Sequence, residues 1–151
     1  MANYLISLNS AHVDKHSVLF DMRYANGDEI DFNNEGIGVL SSVKIKDIPS
    51  FLEDAINEKG LQEEYSGYHF GPVTEGEKIL VPKGLVNVFI MDTNTILTKD
   101  EFYDTVLQIA RKALEAVDVF HLKDKGIVDD FWTGRIKHAI PKLEAKLKNN
   151  L

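Results

Sequence analysis

The chain has 151 residues, 44% of them hydrophobic and 27% charged, which is typical of one folded domain, so we predict a single globular domain over residues 1–151. It contains no cysteine, which excludes disulfides, thiolate metal sites and cysteine nucleophiles. Its net charge of −7 disfavours nucleic acid as a partner, because like charges repel.

The charge is unevenly distributed along the sequence. Residues 1–77 contain five Lys and Arg against fourteen Asp and Glu, whereas residues 134–151 contain five against one. An acidic surface attracts a cationic protein and orients its approach, so we expect a basic protein partner. The cations of the last segment are Arg135, Lys137, Lys142, Lys146 and Lys148. We interpret them as a solvated helix face that complements the acidic segment at residues 1–77, which we call the acidic front, rather than as a phosphate-binding patch.

Neither the first residues nor the apolar runs indicate export or membrane insertion. Residues 1–8 are too short and too weakly charged for a secretory signal. The longest apolar run, at residues 85–91, is far below the roughly 20 residues of a membrane span. We therefore expect a cytoplasmic protein with no membrane partner.

Alternating apolar and polar residues predict strands at the start of the chain. The first covers residues 4–8 and the second residues 17–24. Asn26-Gly27 favours a two-residue hairpin turn, because both residues tolerate positive φ angles. Ile30 and Phe32 continue the alternation and predict the return strand of this hairpin.

The next segment predicts a connection followed by a helix. Residues 36–40 and 43–45 indicate either a short strand or an extended connection. Asp47 is a candidate N-cap, and Pro49 fits the first turn of the helix that follows. Gly60 is the expected left-handed residue that ends this helix.

Glycines and prolines predict a loop-like region at residues 62–84, with a short strand at residues 79–81. Residues 85–91 predict a buried strand. Asp92 and Asn94 are interpreted as turn residues that lead into the next helix.

The last third of the chain predicts two helices. Thr98 and Glu101 have the spacing of a capping box, and the helix that they open extends to about Val117. A further helix begins near Asp129, and Pro141 should bend or restart it. Strands first and helices later predict an α+β fold: an antiparallel sheet with an N-terminal β-hairpin and three to four helices packed mainly on one face.

The only tryptophan, Trp132, lies between Phe131 and a segment that contains Arg135. We predict that Trp132, beside Phe131, anchors the last helix on the core. The alternative is an exposed aromatic and arginine surface that contacts a partner or another subunit, since Trp and Arg are enriched at such surfaces.

No motif in the sequence identifies a reaction. His12 and His16, with Asp14 between them, have the spacing of a helical metal pair but lack a third ligand. Ser66 and His69 are close in sequence, but catalytic triads are assembled in space. We therefore expect no catalytic residue, no metal and no cofactor.

Two groups of carboxylates lie in the acidic front, one around the predicted hairpin and one from the first helix into the following loop. The predicted partner-binding residues are Asp28, Glu29, Asp31, Glu53, Asp54, Glu58, Glu63, Glu64, Tyr65, Tyr68 and Phe70. Aromatic residues beside carboxylates combine apolar contact with electrostatic orientation. The alternative is that the charges only solvate the surface and the aromatic residues pack under the loop.

The stretch at residues 63–70, Glu-Glu-Tyr-Ser-Gly-Tyr-His-Phe, resembles the bacterial immunity proteins that neutralise toxin domains, as do the size, the acidity and the lack of cysteine. The resemblance implies a cytosolic, non-enzymatic inhibitor that binds a cationic nuclease and occludes its active site or substrate groove. On this hypothesis, changing Glu63, Glu64 and Tyr68 together should weaken binding.

A second hypothesis is a small enzyme or a small-molecule-binding domain with a pocket between the sheet and the helices. Its site would include Tyr68, His69 and Asp92. A thermal-shift screen with nucleotides, metals and metabolites separates the two hypotheses, because a ligand that binds the folded state raises the melting temperature.

Overall fold

A computed structural model describes residues 3–9 and 13–149 of the protein. The elements in chain order are β1 (Tyr4–Leu8), β2 (Phe20–Tyr24), α1 (Gly38–Ser41), a 3₁₀ turn (Ile45–Asp47), α2 (Ile48–Ile56), β3 (Leu61–Gln62), β4 (Ser66–Phe70), β5 (Val73–Glu75), β6 (Lys78–Val81), β7 (Leu85–Ile90), β8 (Thr93–Thr98), α3 (Lys99–Val119) and α4 (Asp130–Asn149). The predicted α+β class is confirmed.

The strands pair antiparallel throughout. The largest sheet has four strands in the order β3-β4-β7-β8, while β1 pairs with β2 and β5 pairs with β6. The β1–β2 register runs from Tyr4 opposite Tyr24 to Leu8 opposite Phe20, which confirms an antiparallel pair at the N-terminus. Two backbone groups on the free edge of β1 form hydrogen bonds with Gln108 of α3. Its side-chain amide accepts from the Ile6 N–H at 3.0 Å and donates to the Tyr4 carbonyl at 2.8 Å.

The hairpin predicted across Asn26-Gly27 forms only its turn. The Gly27 N–H donates to the carbonyl three residues earlier at 2.9 Å, as a tight turn requires. The return strand expected at residues 30–32 is wrong, because pairing stops after a single bridge between Arg23 and Glu29. The Asp31 carboxylate then accepts hydrogen bonds from the next two asparagines and turns the chain away.

The segment around the first helices differs from the sequence prediction at both ends. Residues 36–40 do not form a strand, and the last three of them belong to the buried helix α1, since a short apolar run does not distinguish helix from strand. Helix α2 begins where predicted, with Pro49 in its first turn, but the Asp47 side chain makes no capping hydrogen bond. The helix ends before Gly60, and the residue with positive φ (54°) is Glu58.

The region predicted as a loop, residues 62–84, instead contains most of four strands, and the strand predicted at residues 79–81 is confirmed within β6. Its glycines allow strands to approach closely. A Cβ on Gly67 would lie 1.9 Å from the Leu61 carbonyl oxygen, and one on Gly71 would lie 1.8 Å from a carbonyl oxygen between β6 and β7.

The predicted buried strand is β7, but the strand after it was not predicted. Asp92 lies in the β7–β8 turn as expected, whereas Asn94 belongs to β8. The capping box at the start of α3 is confirmed. Thr98 Oγ1 accepts from the Glu101 N–H at 3.1 Å, and the Glu101 carboxylate accepts from the Thr98 N–H at 3.2 Å.

The core lies between α3 and one face of the four-stranded sheet. Tyr68 of β4 and Val88 of β7 are paired and buried on this face, while their neighbours His69 and Phe89 project from the opposite face. An aromatic cluster fills the centre of the core. It consists of Phe51, Tyr68, Phe70, Phe102 and Tyr103, with ring centroids 5.2 to 6.3 Å apart.

Helix α4 is anchored by its tryptophan, as predicted. Trp132 is buried, and its Nε1–H donates to the Ile45 carbonyl at 2.8 Å. Asp129 accepts from the Trp132 N–H at 2.8 Å, and the helix continues without interruption through Pro141. Phe131, by contrast, is 73% exposed. Neither α4 nor any other helix within residues 3–9 and 13–149 is long and apolar enough to cross a membrane.

Candidate functional site

One carboxylate of the acidic front is held internally by α4. Arg135 donates to both carboxylate oxygens of Glu53, from Nη2 at 2.5 Å and from Nε at 2.9 Å, and also to Ser50 Oγ at 3.2 Å. These hydrogen bonds lower the pKa of Glu53. Glu53 is therefore already neutralised and is a poor candidate for contact with a partner.

Two further predicted carboxylates have cationic neighbours. Glu58 pairs with Lys99 of α3 and lies 3.8 Å from the Lys146 ammonium of α4. Glu29 lies 3.7 Å from Arg23, and both side chains are exposed. Two of the five cations of the C-terminal segment, Arg135 and Lys146, therefore lie against carboxylates of the acidic front.

The other five predicted carboxylates have no ion pair within the part of the chain that the structure describes. Asp28 accepts from the Asn26 side-chain amide at 3.1 Å, and Asp31 accepts from a backbone N–H, so these two stabilise local turns. Asp54 is partly exposed, and Glu63 and Glu64 are exposed. In the second acidic group, three carboxylates, those of Asp54, Glu63 and Glu64, have no ion pair in the described residues.

The predicted aromatic residues are divided between core and surface. Tyr68 is 1% exposed and Phe70 packs against the core, so their prediction as surface contacts is corrected. Burial, with a smaller effect from the charge of Asp54, raises the pKa of Tyr68. Tyr65, which precedes β4, is 63% exposed and is the predicted aromatic that is accessible to a partner.

The large apolar side chain of Met91 is exposed close to Tyr65, and that of Phe32 is exposed beside β7. Met91, which is 71% exposed, donates its backbone N–H to the Tyr65 carbonyl at 2.5 Å, so the β3–β4 and β7–β8 turns lie side by side. Phe32 is 45% exposed and lies beside Ile90. Both side chains would be within 4 Å of a Cβ atom added to Gly38.

The residues of the adjoining β3–β4 and β7–β8 turns form one surface, which we call the acidic end of the sheet. It consists of Glu63, Glu64, Tyr65 and Met91. Sequence reasoning missed Met91, because it placed this residue inside a strand. The signal for Met91 was its position directly before the Asp92 turn, and Met91 does adopt a positive φ of 53° there.

A cleft of about 540 Å³ opens between α2 and the start of β4, and we call it the α2–β4 cleft. Its apolar lining is Val39, Val43, Phe51, Leu61, Tyr68 and Ile90. Three carboxylates, Asp47, Asp54 and Glu63, line it together with one cation, Lys44. Glu63 belongs both to this lining and to the acidic end.

The residues named for an enzyme site do not converge. Tyr68 and His69 lie on opposite faces of β4, where His69 stacks on Phe89 with ring centroids 5.1 Å apart. Asp92 lies in the β7–β8 turn. Ser66 lines the cleft and is separated from His69 by the alternation of the strand, so the Ser–His pair does not form.

Of the possible metal pair, His12 lies outside the described residues. His16 is exposed, and its backbone N–H donates to Asp14 Oδ1 at 2.7 Å. Within residues 3–9 and 13–149, no group of three or more His, Asp or Glu side chains is arranged to hold a metal ion.

No protein-family model, curated protein or solved structure matches this chain. The available charges, the exposed apolar side chains and the cleft are the features from which a function can be argued.

Proposed function

We propose that this protein is a non-enzymatic, stoichiometric inhibitor that neutralises a cationic toxin domain of the nuclease class by occluding its active site, in the manner of bacterial immunity proteins. One observation carries the proposal. At the acidic end, the carboxylates of Glu63 and Glu64, which have no ion pair within residues 3–9 and 13–149, adjoin the large exposed side chains of Tyr65 and Met91. Exposed apolar side chains grouped in this way mark a contact surface.

The chemistry of this surface suits a nuclease groove. Such a groove is cationic because it binds phosphates, and the carboxylates of Glu63 and Glu64 would occupy the place of those phosphates. Tyr65 and Met91 would supply desolvated apolar contact, which provides most of the binding energy in typical interfaces. An interface of about 800 Å² would cover about a tenth of the 8656 Å² surface, so the acidic end and its surroundings suffice.

The partner for the test is a cationic toxin domain of the nuclease class, which we call the toxin-like partner and which should be sought first among the genes beside that of this protein. The triple change Glu63→Gln, Glu64→Gln and Tyr65→Ala should weaken its binding by roughly a hundredfold or more. Tyr65 replaces Tyr68 in this test because Tyr68 is a core residue, and its loss would report on folding. Isothermal titration calorimetry measures the affinity, and the toxin's nuclease activity measures inhibition.

The matched control is Glu75→Gln, Glu77→Gln and Ile79→Ala in the β5–β6 hairpin, which follows the other end of β4. It removes the same charge and a side chain that is also 63% exposed, so it should leave binding unchanged. Binding should also weaken when the ionic strength rises from about 0.01 to about 0.15 M, because salt screens surface charges. Salt-independent binding that the triple change does not affect would refute the proposal.

The alternative, a small-molecule-binding domain, is favoured by one specific observation. The α2–β4 cleft lies between helix and sheet, and its volume of about 540 Å³ is within the range of ligand pockets, about 300 to 1,000 Å³. A reproducible rise in melting temperature with a nucleotide or metabolite would support this alternative.

A further inference from the structure

We infer that the α2–β4 cleft accepts an extended segment of the protein partner in which a Lys or Arg side chain stands next to an apolar one. This inference rests on the proposed function and deepens it, because it names the part of the partner that enters the protein and the chemistry that recognises it.

The apolar lining of the cleft favours the apolar side chain of the partner segment. Val43 from the segment before α2, Leu61 from β3 and Ile90 from β7 are each only partly buried, so apolar surface remains open to solvent at this point. The volume of the cleft is larger than one side chain needs. An apolar side chain and the aliphatic stem of a neighbouring Lys or Arg would cover this surface together.

The charged residues that line the cleft favour the Lys or Arg side chain of the partner segment. Asp47, Asp54 and Glu63 oppose the single Lys44, so a cationic group is favoured over an anionic one. The Asp47 carboxylate does not cap its own helix. None of the three carboxylates has an ion pair within the described part of the chain, so a ligand cation would not have to displace an internal one.

The position of the cleft connects it to the proposed interface. Glu63 belongs both to the acidic end and to the lining of the cleft, and Ile90 of that lining is paired with Ser66, which directly follows Tyr65. A protein that covers Tyr65 and Met91 would therefore pass over the mouth of the cleft. A segment of that same protein is the occupant that this continuity favours.

The experiment uses three synthetic peptides as probes: acetyl-Lys-Leu-Lys-Leu-Lys-Leu-amide, its Ser-for-Leu analogue and its Glu-for-Lys analogue. Methyl NMR should show the first peptide shifting resonances of Val43, Leu61 and Ile90. The Ser analogue should bind more weakly, and the Glu analogue should not bind. The double change Asp47→Asn and Asp54→Asn should weaken the first peptide by roughly tenfold, since each neutralised carboxylate removes a charge-assisted contact.

The control for charge is Glu75→Gln with Glu77→Gln, which removes two charges in the β5–β6 hairpin and should leave peptide affinity unchanged. Amide spectra confirm that each variant remains folded. Equal binding of the Leu and Ser peptides, equal effects of the two double changes, or methyl shifts outside the cleft would overturn the inference.

Titration of the toxin-like partner separates this inference from the function on which it rests. If the acidic-end triple change abolishes binding and the Asp47 and Asp54 change does not, the cleft is not occupied by the partner while the inhibitor function stands. If neither set of changes weakens the partner, both are wrong. Weakening by both sets supports the inference.

Discussion

The ion pair between Glu53 and Arg135 should contribute measurably to stability, and the contribution should depend on pH. Both carboxylate oxygens accept from the guanidinium, at 2.5 and 2.9 Å, and charge-assisted paired bonds of this kind are strong. The side chains are nevertheless 45% and 28% exposed, so solvent screens them. We therefore expect a coupling of about 1 kcal/mol, near the top of the range for exposed pairs and below that of buried ones.

The sign of the pH dependence follows from the carboxylate. The pKa of Glu53 is lowered from its ordinary value of 4.5 by the hydrogen bonds from Arg135. The folded state thus favours the ionised form, and the pair stabilises the protein above pH 4.5 and loses this effect as the pH falls through the folded pKa. At neutral pH, Glu53→Gln should lower the melting temperature by about 2 to 4 °C for a domain of this size.

A double-mutant cycle with Glu53→Gln and Arg135→Gln isolates the coupling, because it subtracts the other effects of each change. Urea unfolding followed by far-UV circular dichroism gives the free energy of unfolding of the four proteins, at neutral pH and at about pH 3. A coupling near zero at neutral pH, or one that persists unchanged in acid, would show that the pair does not act as its geometry indicates.

Three further outcomes are expected. Trp132→Phe should lower the free energy of unfolding by about 1 to 2 kcal/mol in urea titrations, because a buried backbone carbonyl loses its indole donor. Gly67→Ala should destabilise far more than Gly76→Ala, since a Cβ on Gly67 would lie 1.9 Å from the Leu61 carbonyl oxygen, whereas a Cβ on Gly76 meets nothing within 4 Å and carries only the cost of a positive φ. Burial raises the pKa of Tyr4 to about 12, so stability that is present below pH 10 should fall as the pH rises further, and less steeply in Tyr4→Phe when melting temperatures are compared.

The features that the sequence predicts well are those determined by residues close together in the chain. The capping box of Thr98 and Glu101 is one example, since both hydrogen bonds close within a single turn. The start of α2 at Pro49 is another, because proline fixes its own φ. The burial of Trp132 was also predictable, because a large aromatic residue on an amphipathic helix stabilises most when it is in the core.

The strands within residues 62–84 were missed because glycine occurs both in turns and at positions where neighbouring strands approach closely. In a single sequence, Gly67 and Gly71 indicate turns, but here they permit close approach of neighbouring chains. The contact partners of these glycines lie several residues away and become visible only when the strands are paired. The local sequence pattern therefore could not distinguish a turn glycine from a glycine at a close contact between strands.

The acidic charge of the candidate site was predicted from the sequence, but the exposure of its aromatic residues was not, because exposure depends on how the strands pair. Successive residues in a strand face opposite sides, so pairing of Tyr68 with Val88 determines that Tyr68 enters the core. A shift of register by one residue would have exposed it. Tyr65 escapes this constraint because it precedes the strand and lies in the turn beside Met91.

The basic α4 on an acidic protein has a consequence for where negative potential remains. Its cations neutralise Glu53 and approach Glu58, both on or just after α2. The charges left without an internal ion pair in the described residues include Asp54, Glu63 and Glu64, at the cleft and the acidic end. Because opposite charges attract most strongly where no internal ion competes, these three carboxylates would attract a cationic partner more strongly than Glu53 and Glu58 would. Arg135→Gln would free Glu53 and broaden that field, so it should raise the association rate with the toxin-like partner while lowering stability.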